Sequence, residues 1–242
     1  MEKLEADIVI VGTGASGLFA ALHVPSDKKV IMLTKSDAEN SDSFLAQGGI
    51  CVLRDKNDFD SFMEDTMKAG HYENRKESVE IMINSSRDII NELIGYGVDF
   101  ATKDGKLDYT REGAHSKPRI LFHEDITGKE ITSTLLDEVR KLENVTIMEY
   151  ITMTDIIEKD NVCYGVLAKD ANNNEMCIEA GYTIFACGGI GGLYAHSTNY
   201  PHLTGDAIAI AIQHGIKLEN VDYVQIHPTT LYTKKKGRAF LI

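Results

Sequence analysis

Long hydrophobic runs are missing from this 242-residue sequence. The longest apolar stretches, IVIVG near the N-terminus and TIFACGG late in the chain, have the length of a β-strand. They are far shorter than the roughly 20 residues that span a bilayer. The N-terminus, MEKLEADIVIV, also lacks the basic segment, apolar segment and small-residue cleavage site of a secretory signal. The sequence therefore predicts no membrane span and a cytoplasmic location.

Cysteine and histidine show none of the spacings that bind metals. The four cysteines, Cys51, Cys163, Cys177 and Cys187, form no CxxC pair, and the eight histidines show no HxxxH or HExxH pattern. Widely spaced cysteines in a chain of this length do not suggest a disulfide framework. We therefore expect reduced thiols and no metal site.

Basic residues are outnumbered, with 25 lysines and arginines against 37 acidic residues and a net charge of -12. No basic stripe with interleaved aromatic residues is present, which argues against a nucleic-acid partner. An anionic substrate would need a local basic site.

The first 33 residues have the pattern of a βαβ unit. A β-branched run, Asp7–Val11, ends at a glycine turn; a small-residue stretch, Ala15–Val24, reads as a helix; and Val30–Leu33 reads as a second strand. This order predicts parallel pairing of the two strands. The composition, with 43% apolar residues, fits a globular α/β protein.

Further elements follow the same periodicity rules. Apolar spacing predicts helices at Asp58–Ala69, Lys76–Tyr96 (ended by Gly95 and Gly97), Gly128–Leu142 and Gly205–His214. Short alternating runs at Val145–Ile157, Val162–Ala168 and Met176–Ile178 predict an antiparallel β-meander, and Thr183–Ala186 a separate buried strand. Residues Ala101–Lys117 show no period and are predicted to form a loop.

The turn after the first strand has the sequence Gly12-Thr13-Gly14-Ala15-Ser16-Gly17, which is the GxGxxG pattern between strand and helix. In that context the glycines permit a tight turn, close approach to a pyrophosphate and close helix packing. The alternative is a glycine-rich turn without a ligand. The second strand ends in Thr34-Lys35 and lacks the acid that binds a ribose diol. Two explanations stay open at this point: Lys35 contacts an NADP phosphate, or Thr34 and Lys35 hydrogen-bond an adenosine ribose.

Five more motifs follow in a fixed order: SDSFLAQGG at 41–49, REGAHS at 111–116, FACGGIGG at 185–192, TGDAIAIA at 204–211 and IHPTTL at 226–231. Together with the GTGASG turn, the sequence resembles the succinate dehydrogenase, fumarate reductase and L-aspartate oxidase family of flavoproteins over its whole length. The resemblance implies a Rossmann-like FAD-binding domain with a parallel sheet and an antiparallel meander. It implies FAD contacts from Gly12, Thr13, Gly14, Ala15, Ser16, Gly17, Lys35, Asp42, Ser43, Phe44, Leu45, Ala46, Gln47, Gly48, Gly49 and Asp206.

Within that family the motifs are most similar to those of the L-aspartate oxidases. Asp42 stands where the respiratory members carry the histidine that binds FAD covalently, so the resemblance implies noncovalent FAD. It also implies that Glu112 orients the α-ammonium group of L-aspartate and that His227 binds a substrate carboxylate. The plainer alternatives are a solvated loop glutamate and a structural histidine. Arg111, His115 and Ser116 either help to hold a carboxylate or are structural, and Cys187 is expected to be a packing residue.

The implied reaction is FAD-dependent oxidation of L-aspartate to iminoaspartate, the first step of de novo NAD biosynthesis, with oxygen or fumarate as electron acceptor. The resemblance also implies that the full-length protein forms a complex with the next enzyme of the pathway. Two alternatives remain: a soluble fumarate reductase or succinate dehydrogenase-like flavoprotein, and a catalytically inactive flavin-binding fragment.

The resemblance also predicts a domain boundary. Residues 1–220 would form the first segment of the FAD-binding domain, and residues 221–242 would begin a capping domain that this chain does not complete. The arginine that serves the family as proton donor or acceptor would then lie beyond Ile242. We therefore expect weak or no catalysis by the chain alone.

Overall fold

A computed structural model describes residues 1–227, 229–231 and 238–240. The strands are β1 (Glu2–Val11), β2 (Val30–Leu33), β3 (Ile50–Cys51), β4 (Thr102–Lys103), β5 (Lys106–Leu107), β6 (Ile120–Leu121), β7 (Val145–Met148), β8 (Thr152–Lys159), β9 (Val162–Lys169) and β10 (Glu175–Phe185). The α-helices are α1 (Ala15–Leu22), α2 (Asp42–Leu45), α3 (Phe59–Ala69), α4 (Lys76–Tyr96), α5 (Thr127–Val139) and α6 (Asp206–Gln213). Short 3-10 helices cover Lys56–Asp58 and Gly191–Leu193.

The chain forms two compact units. The first unit contains Met1–Ser43 and Leu136–Ile242, and the second unit contains Phe44–Leu135. The expected boundary near residue 220 stays a prediction. None of the helices in the described part of the chain is both long and apolar enough to cross a bilayer.

The first unit is built on a six-stranded sheet with the order β7-β2-β1-β10-β9-β8. β7, β2, β1 and β10 pair in parallel, and β9 and β8 continue the sheet in antiparallel orientation. Val9, Ile31, Val166 and Ile178 are among the core residues of this sheet. Burial of each such side chain contributes about 1.5–3 kcal/mol. The predicted α/β fold with a parallel sheet and an antiparallel meander is confirmed.

Three strand predictions need correction. Val145–Met148 is not part of the meander, because β7 pairs in parallel with β2. The run Thr183–Ala186 is not a separate strand, because β10 continues from Glu175 to Phe185, and Phe185 at its end is 41% exposed. β1 begins at Glu2 rather than Asp7, because Glu2 to Ala6 pair with Met176 to Ala180 of β10. Long-range pairing therefore extends strands beyond the limits of their local patterns.

The helices of the second unit match their predicted positions closely. α4 has the predicted bounds and buries Val79, Ile83, Ile90 and Leu93. Gly95 lies within this helix, so the prediction that it ends the helix is wrong; Gly97, with φ 103°, is the left-handed C-cap. α3 begins at Phe59, after the 3-10 helix.

The boundary between the units falls within α5, which covers Thr127–Val139 rather than Gly128–Leu142. In the second unit, the predicted loop at 101–117 contains the β4-β5 hairpin. In the first unit, α1 and α6 end at Leu22 and Gln213, within the predicted ranges. These differences of one to three residues at helix ends do not move any candidate site residue.

Candidate functional site

A cleft of the first unit lies at the carboxyl ends of three neighbouring parallel strands. Its walls come from the residues that follow β1, β2 and β10 and from two loops; they include Gly12, Thr13, Gly14, Ser16, Thr34, Lys35, Asn40, Ser41, Asp42, Ser43, Ala186, Cys187, Gly188, His202, Leu203, Thr204, Gly205 and Asp206. In open α/β sheets, ligands bind outside this end of the strands. The cleft therefore lies where a dinucleotide binds.

Close packing around the turn after β1 requires glycine at two of its positions. Gly12 has φ +117°, and a Cβ atom there would lie 2.2 Å from the carbonyl oxygen of Ala186. A Cβ atom at Gly17 would lie 2.1 Å from the carbonyl oxygen of Gly12. The backbones of β1, α1 and β10 therefore approach so closely that only glycine fits at both positions.

Helix α1 begins within this turn, and its N-cap residue is Gly14, which has no side chain to cap the helix. The amide of Ala15 donates a hydrogen bond to Ser43 Oγ at 3.1 Å, which ties Ser43 to the helix start. Helix N-termini carry free N–H groups and a partial positive charge that stabilise phosphate oxygens. The geometry of Gly12 to Gly17 thus fits a pyrophosphate.

A lysine and an aspartate meet at the end of β2. Lys35 Nζ lies 2.8 Å from Asp206 Oδ2 and donates to Thr204 Oγ1 at 2.8 Å, and the Thr204 hydroxyl donates to Asp206 Oδ1 at 2.7 Å. Both charged side chains are about one quarter exposed. The carboxylate that the sequence pattern lacks on β2 is therefore present beside that strand, contributed by the first turn of α6.

Asp42 lies on the same cleft and accepts a hydrogen bond from the amide of Tyr200 at 3.0 Å. Burial raises the pKa of this carboxyl group, although the bond from Tyr200 opposes the shift. The ring of His202 stacks on Tyr200 at 5.2 Å, and His202 Nε2 lies 3.0 Å from the carbonyl oxygen of Asn40. Burial lowers the pKa of His202, which favours its neutral form.

Cys187 has the geometry of a packing residue. Its side chain packs against the core of the sheet, and its thiol donates to the carbonyl oxygen of Val11 at 3.4 Å. Burial raises its pKa to about 11, so the thiol stays protonated at neutral pH.

The second unit contains the other predicted FAD residues, Phe44 to Gly49, together with Glu112. A Cβ atom at Gly48 would lie 3.0 Å from Glu112 Oε1. The carboxylate therefore lies directly against the backbone of the AQGG segment, Ala46 to Gly49. Ala46 accepts a hydrogen bond from the amide of Gly128 at 2.8 Å. The residues Ala46 to Gly49 and Glu112 are all exposed.

The local strand pairing explains why Glu112 and the AQGG segment meet. The glycines lead into β3, which pairs antiparallel with β6, the strand that follows the REGAHS loop. Gly49, with φ +129°, comes so close to this strand that a Cβ atom would lie 2.5 Å from Ile120 Cγ2. Glycine is therefore needed at this position for packing, independently of any ligand.

His115 and Ser116 of the REGAHS loop have partners within the second unit. Asp65 Oδ2 accepts hydrogen bonds from the amide and the hydroxyl of Ser116, at 2.7 and 2.8 Å. His115 Nε2 lies 3.5 Å from Cys51 Sγ, and its Nδ1 lies 3.3 Å from Arg119 Nη1. These contacts favour the structural interpretation of both residues, whereas Arg111 is exposed.

Three charged residues of this region were missed in the sequence. Arg119 is fully buried and pairs with Asp58 and Asp65. Burial by itself raises the pKa of Asp58, but hydrogen bonds from Arg119 and Ser61 lower it to about 2. One signal could have indicated this cluster. Arg119 directly precedes the apolar residues of β6, and a charged side chain at the start of a buried strand needs buried partners of opposite charge.

His227 is exposed, and among the described residues its hydrogen bonds are to Thr229. Its Nδ1 accepts a hydrogen bond from the amide of Thr229 at 3.2 Å and lies 2.9 Å from the carbonyl oxygen of that residue. It is not among the residues that line the cleft in the described ranges, and Pro228 of the same motif lies outside them. Its predicted contact with a substrate carboxylate stays a prediction.

No cluster of three or more histidine, cysteine, aspartate or glutamate side chains is arranged to hold a metal ion among the described residues. The four cysteines are free.

The chain belongs to the FAD binding domain family, whose model matches residues 7–242. FAD is therefore the cofactor of this domain, and the NADP interpretation of Lys35 falls away. The family resemblance drawn from the ordered motifs is confirmed.

Two curated relatives are L-aspartate oxidases. The enzyme of Clostridium perfringens is 44% identical over 241 residues, covering 99% of this chain and 55% of the relative. That of Clostridium acetobutylicum is 45% identical over 242 residues, covering 99% of this chain and 56% of the relative. The chain thus spans about half the length of the curated relatives it matches.

Solved structures share the fold. A quinol fumarate reductase FrdA mutant from E. coli matches with a TM-score of 0.83 and 25% identity, over 88% of this chain and 38% of that one. The open conformation of a flavocytochrome c3 fumarate reductase matches with a TM-score of 0.87 and 22% identity, over 99% of this chain and 45% of that one. The second of these likenesses concerns the fold alone.

Proposed function

We propose that this chain is the FAD-binding part of a flavin-dependent oxidoreductase that converts L-aspartate to iminoaspartate. The observation that carries the proposal is the contact of Glu112 with Gly48 of the AQGG segment. Identity of 44–45% to L-aspartate oxidases over almost the whole chain supports it. The relatives are about twice as long, so the reaction is proposed for a protein that includes the rest of their length.

The residues assigned to FAD in the sequence divide into chemical roles. Gly12 to Gly17 and the start of α1 would hold the pyrophosphate through backbone N–H groups. Lys35 and Asp206 form a charged pair whose oxygens and ammonium group can hydrogen-bond the cofactor hydroxyls. The exposed backbone of Ala46 to Gly49 leaves room for a planar ring.

Asp42 supports noncovalent binding. Its carboxylate accepts a hydrogen bond from Tyr200 and is not the histidine that forms a flavin linkage in the respiratory members of the family. Acid precipitation of protein purified with bound FAD should therefore release all flavin into the supernatant. Flavin that stays with the precipitated protein would contradict this part of the proposal.

FAD, when held by these residues, would supply the acceptor for the hydride from C2 of L-aspartate. The α-ammonium group would lose one proton to give the imine, and oxygen or fumarate would take the electrons. Glu112 would accept a hydrogen bond from the α-ammonium group and so orient C2. His227 would bind a substrate carboxylate. Correct orientation is worth several kcal/mol of the barrier only when all the binding groups are present, so we expect the 242-residue chain alone to react slowly.

The first experiment measures FAD affinity by quenching of flavin fluorescence. Lys35→Met should weaken binding about tenfold, because about 1.4 kcal/mol of charged hydrogen bonding is lost. Lys28→Met is the matched control, since Lys28 forms only a loose, exposed ion pair with Asp7 at 3.7 Å. Equal affinities in the native protein and both variants would overturn the assignment of Lys35.

The second experiment tests the substrate with protein that includes the full length of the relatives. Anaerobic L-aspartate should bleach the flavin, and Glu112→Gln should raise the aspartate concentration needed without changing the visible spectrum. Bleached enzyme should be reoxidised by oxygen or fumarate. If only fumarate reduction is observed and aspartate has no effect, the soluble fumarate reductase alternative is correct.

The same proposal includes four further expectations, and all of them except the cytoplasmic location rest on the resemblance alone. They are a cytoplasmic location, a role in the first step of NAD biosynthesis, and a complex of the full-length protein with the next enzyme of the pathway. The capping domain that would begin at residue 221 belongs to them as well.

A further inference from the structure

We infer that the Arg119 cluster, defined as Asp58, Asp65 and Arg119, positions the REGAHS loop and holds His115 in the tautomer with its proton on Nε2. Arg119 is then a positioning residue, acting on Glu112 through the loop rather than by contact with substrate. The importance of Glu112 rests on the proposed function; the geometry of the cluster does not.

The guanidinium of Arg119 is fixed on several sides. Nε and Nη2 donate to the two carboxylate oxygens of Asp58 at 3.1 and 2.8 Å, Nη2 also donates to Ser61 at 3.1 Å, and Nη1 donates to Asp65. The guanidinium carbon lies 4.8 Å from the ring centre of Phe62. Bidentate pairing with stacking gives a planar group one orientation.

The Arg119 cluster contacts His115 and Ser116 of the loop and Lys117, the residue that follows it. Ser116 donates twice to Asp65, Lys117 Nζ lies 3.6 Å from Asp58 Oδ1, and His115 lies against Arg119 itself. Within the loop, the amide of His115 donates to the carbonyl oxygen of Glu112 at 3.0 Å.

The contacts therefore form a continuous path from the buried charges to the backbone of Glu112. The loop residues themselves are mostly exposed and offer little apolar surface to hold them in place. The orientation of the Glu112 carboxylate beside Gly48 thus depends on the cluster.

The chemistry of arginine determines the tautomer of His115. A guanidinium has only donors, so the Nδ1 atom at 3.3 Å from Arg119 Nη1 must act as an acceptor. In the neutral ring the proton then lies on Nε2, which faces Cys51 Sγ at 3.5 Å. The opposite tautomer would bring two N–H donors together.

Arg119→Lys tests the inference, because lysine keeps the charge between the two aspartates but cannot form the planar fork. Arg54→Lys is the matched control: Arg54 is exposed, donates to the carbonyl oxygen of Pro118 at 3.2 Å and lies over Tyr109. Nitrogen-proton correlation spectra of protein labelled at histidine report the tautomer, with the His115 signal assigned by its loss in His115→Gln. Hydrogen exchange measures the order of residues 111–117, with the central residues of α4 as internal reference.

The native protein and Arg54→Lys should show the Nε2–H form of His115. Arg119→Lys should show an increased share of the Nδ1–H form and about tenfold faster exchange of the loop amides relative to α4, as expected for loss of roughly one charged hydrogen bond. A native His115 with its proton on Nδ1, or unchanged loop exchange in Arg119→Lys, would overturn the inference.

Ser116→Ala keeps the test decisive if Arg119→Lys does not fold. It removes the hydroxyl contact with Asp65 and leaves the buried ion pairs intact. The hydrogen-exchange rate of the loop amides should therefore rise several-fold, while the tautomer of His115 is unchanged. Ser85→Ala is its control, because the Ser85 hydroxyl donates to the carbonyl oxygens of Ile81 and Met82 in its own helix. Equal loop exchange in these two variants would contradict the role of the cluster.

These measurements need neither flavin nor aspartate. Failure of FAD binding or of aspartate-driven bleaching would overturn the proposed function and leave the loop result standing. Normal bleaching combined with an unaffected loop would overturn this inference alone.

Discussion

In the cleft of the first unit, much of the predicted FAD site is backbone: glycines and a helix N-terminus surround the space at the strand ends, and the Lys35–Asp206 pair is partly exposed. In the second unit, the candidate substrate residue Glu112 lies on an exposed loop that is held by a buried arginine and two aspartates. The glycine turn of the first arrangement depends on steric fit, which salt and pH hardly change. The second depends on charge in a desolvated environment, where a lost partner is costly.

The largest effect should come from removing the buried charge. Arg119→Met leaves Asp58 and Asp65 without their counter-ion, and we expect a loss of about 3–5 kcal/mol in the free energy of unfolding. Arg140→Met, which removes an exposed pair with Glu39, should cost about 0–1 kcal/mol. Urea denaturation of both variants makes the comparison. Similar small losses would mean that charge does not hold the second unit together.

A comparable but smaller effect should come from filling the glycine turn. Gly12→Ala places a methyl group 2.2 Å from a backbone oxygen at a positive φ, so we expect a loss of about 3 kcal/mol and of FAD binding. Gly189→Ala, where a Cβ atom meets nothing within 4 Å, should change stability by less than about 1 kcal/mol. Denaturation curves with and without added FAD measure both quantities. A well-tolerated Gly12→Ala would contradict the steric account of the cleft.

The smallest effect concerns pH. Because the pKa of Asp58 is lowered from 3.8 to about 2, its ionised form stabilises the folded state fully above about pH 4, and this contribution is lost as the pH falls toward 2. The shift corresponds to about 2 kcal/mol. The stability difference between the native protein and Asp58→Asn should therefore narrow by about that amount between pH 5 and pH 2.

Asp137→Asn is the control for this titration, because Asp137 is exposed and its ion pair with Arg140 is long. Its stability difference from the native protein should stay nearly constant over the same pH range. A constant difference for Asp58→Asn as well would show that the second unit does not depend on this charge.

Local pattern was sufficient to predict the elements around the glycine turn. β2 has its predicted bounds, and the turn from Gly12 to Gly17 lies between strand and helix as expected, because strand alternation and glycine chemistry act over a few residues. The AQGG segment and Glu112 were assigned by the family resemblance, and the structure brings Gly48 and Glu112 together within one unit.

Pairing between distant residues was not predictable from pattern. Lys35 and Thr204 are separated by 169 positions, and Arg119 meets Asp58 across 61. An alternating run such as Val145–Met148 shows that a strand forms but does not specify its neighbour, so β7 was placed in the meander instead of beside β2. Charged side chains also have no periodicity that would indicate burial, which is why the Arg119 cluster was missed.

The pairing of β1 with β10 has a consequence for biosynthesis. β1 leaves the ribosome long before β10, yet one of its edges is completed only when Glu175–Phe185 has been made. At roughly 5–20 residues per second, this wait lasts on the order of ten seconds or more. During that time the apolar residues Val9 to Val11 lack the β10 side of their sheet, so the nascent chain presents an open strand edge that chaperones can recognise and that favours aggregation when translation stalls.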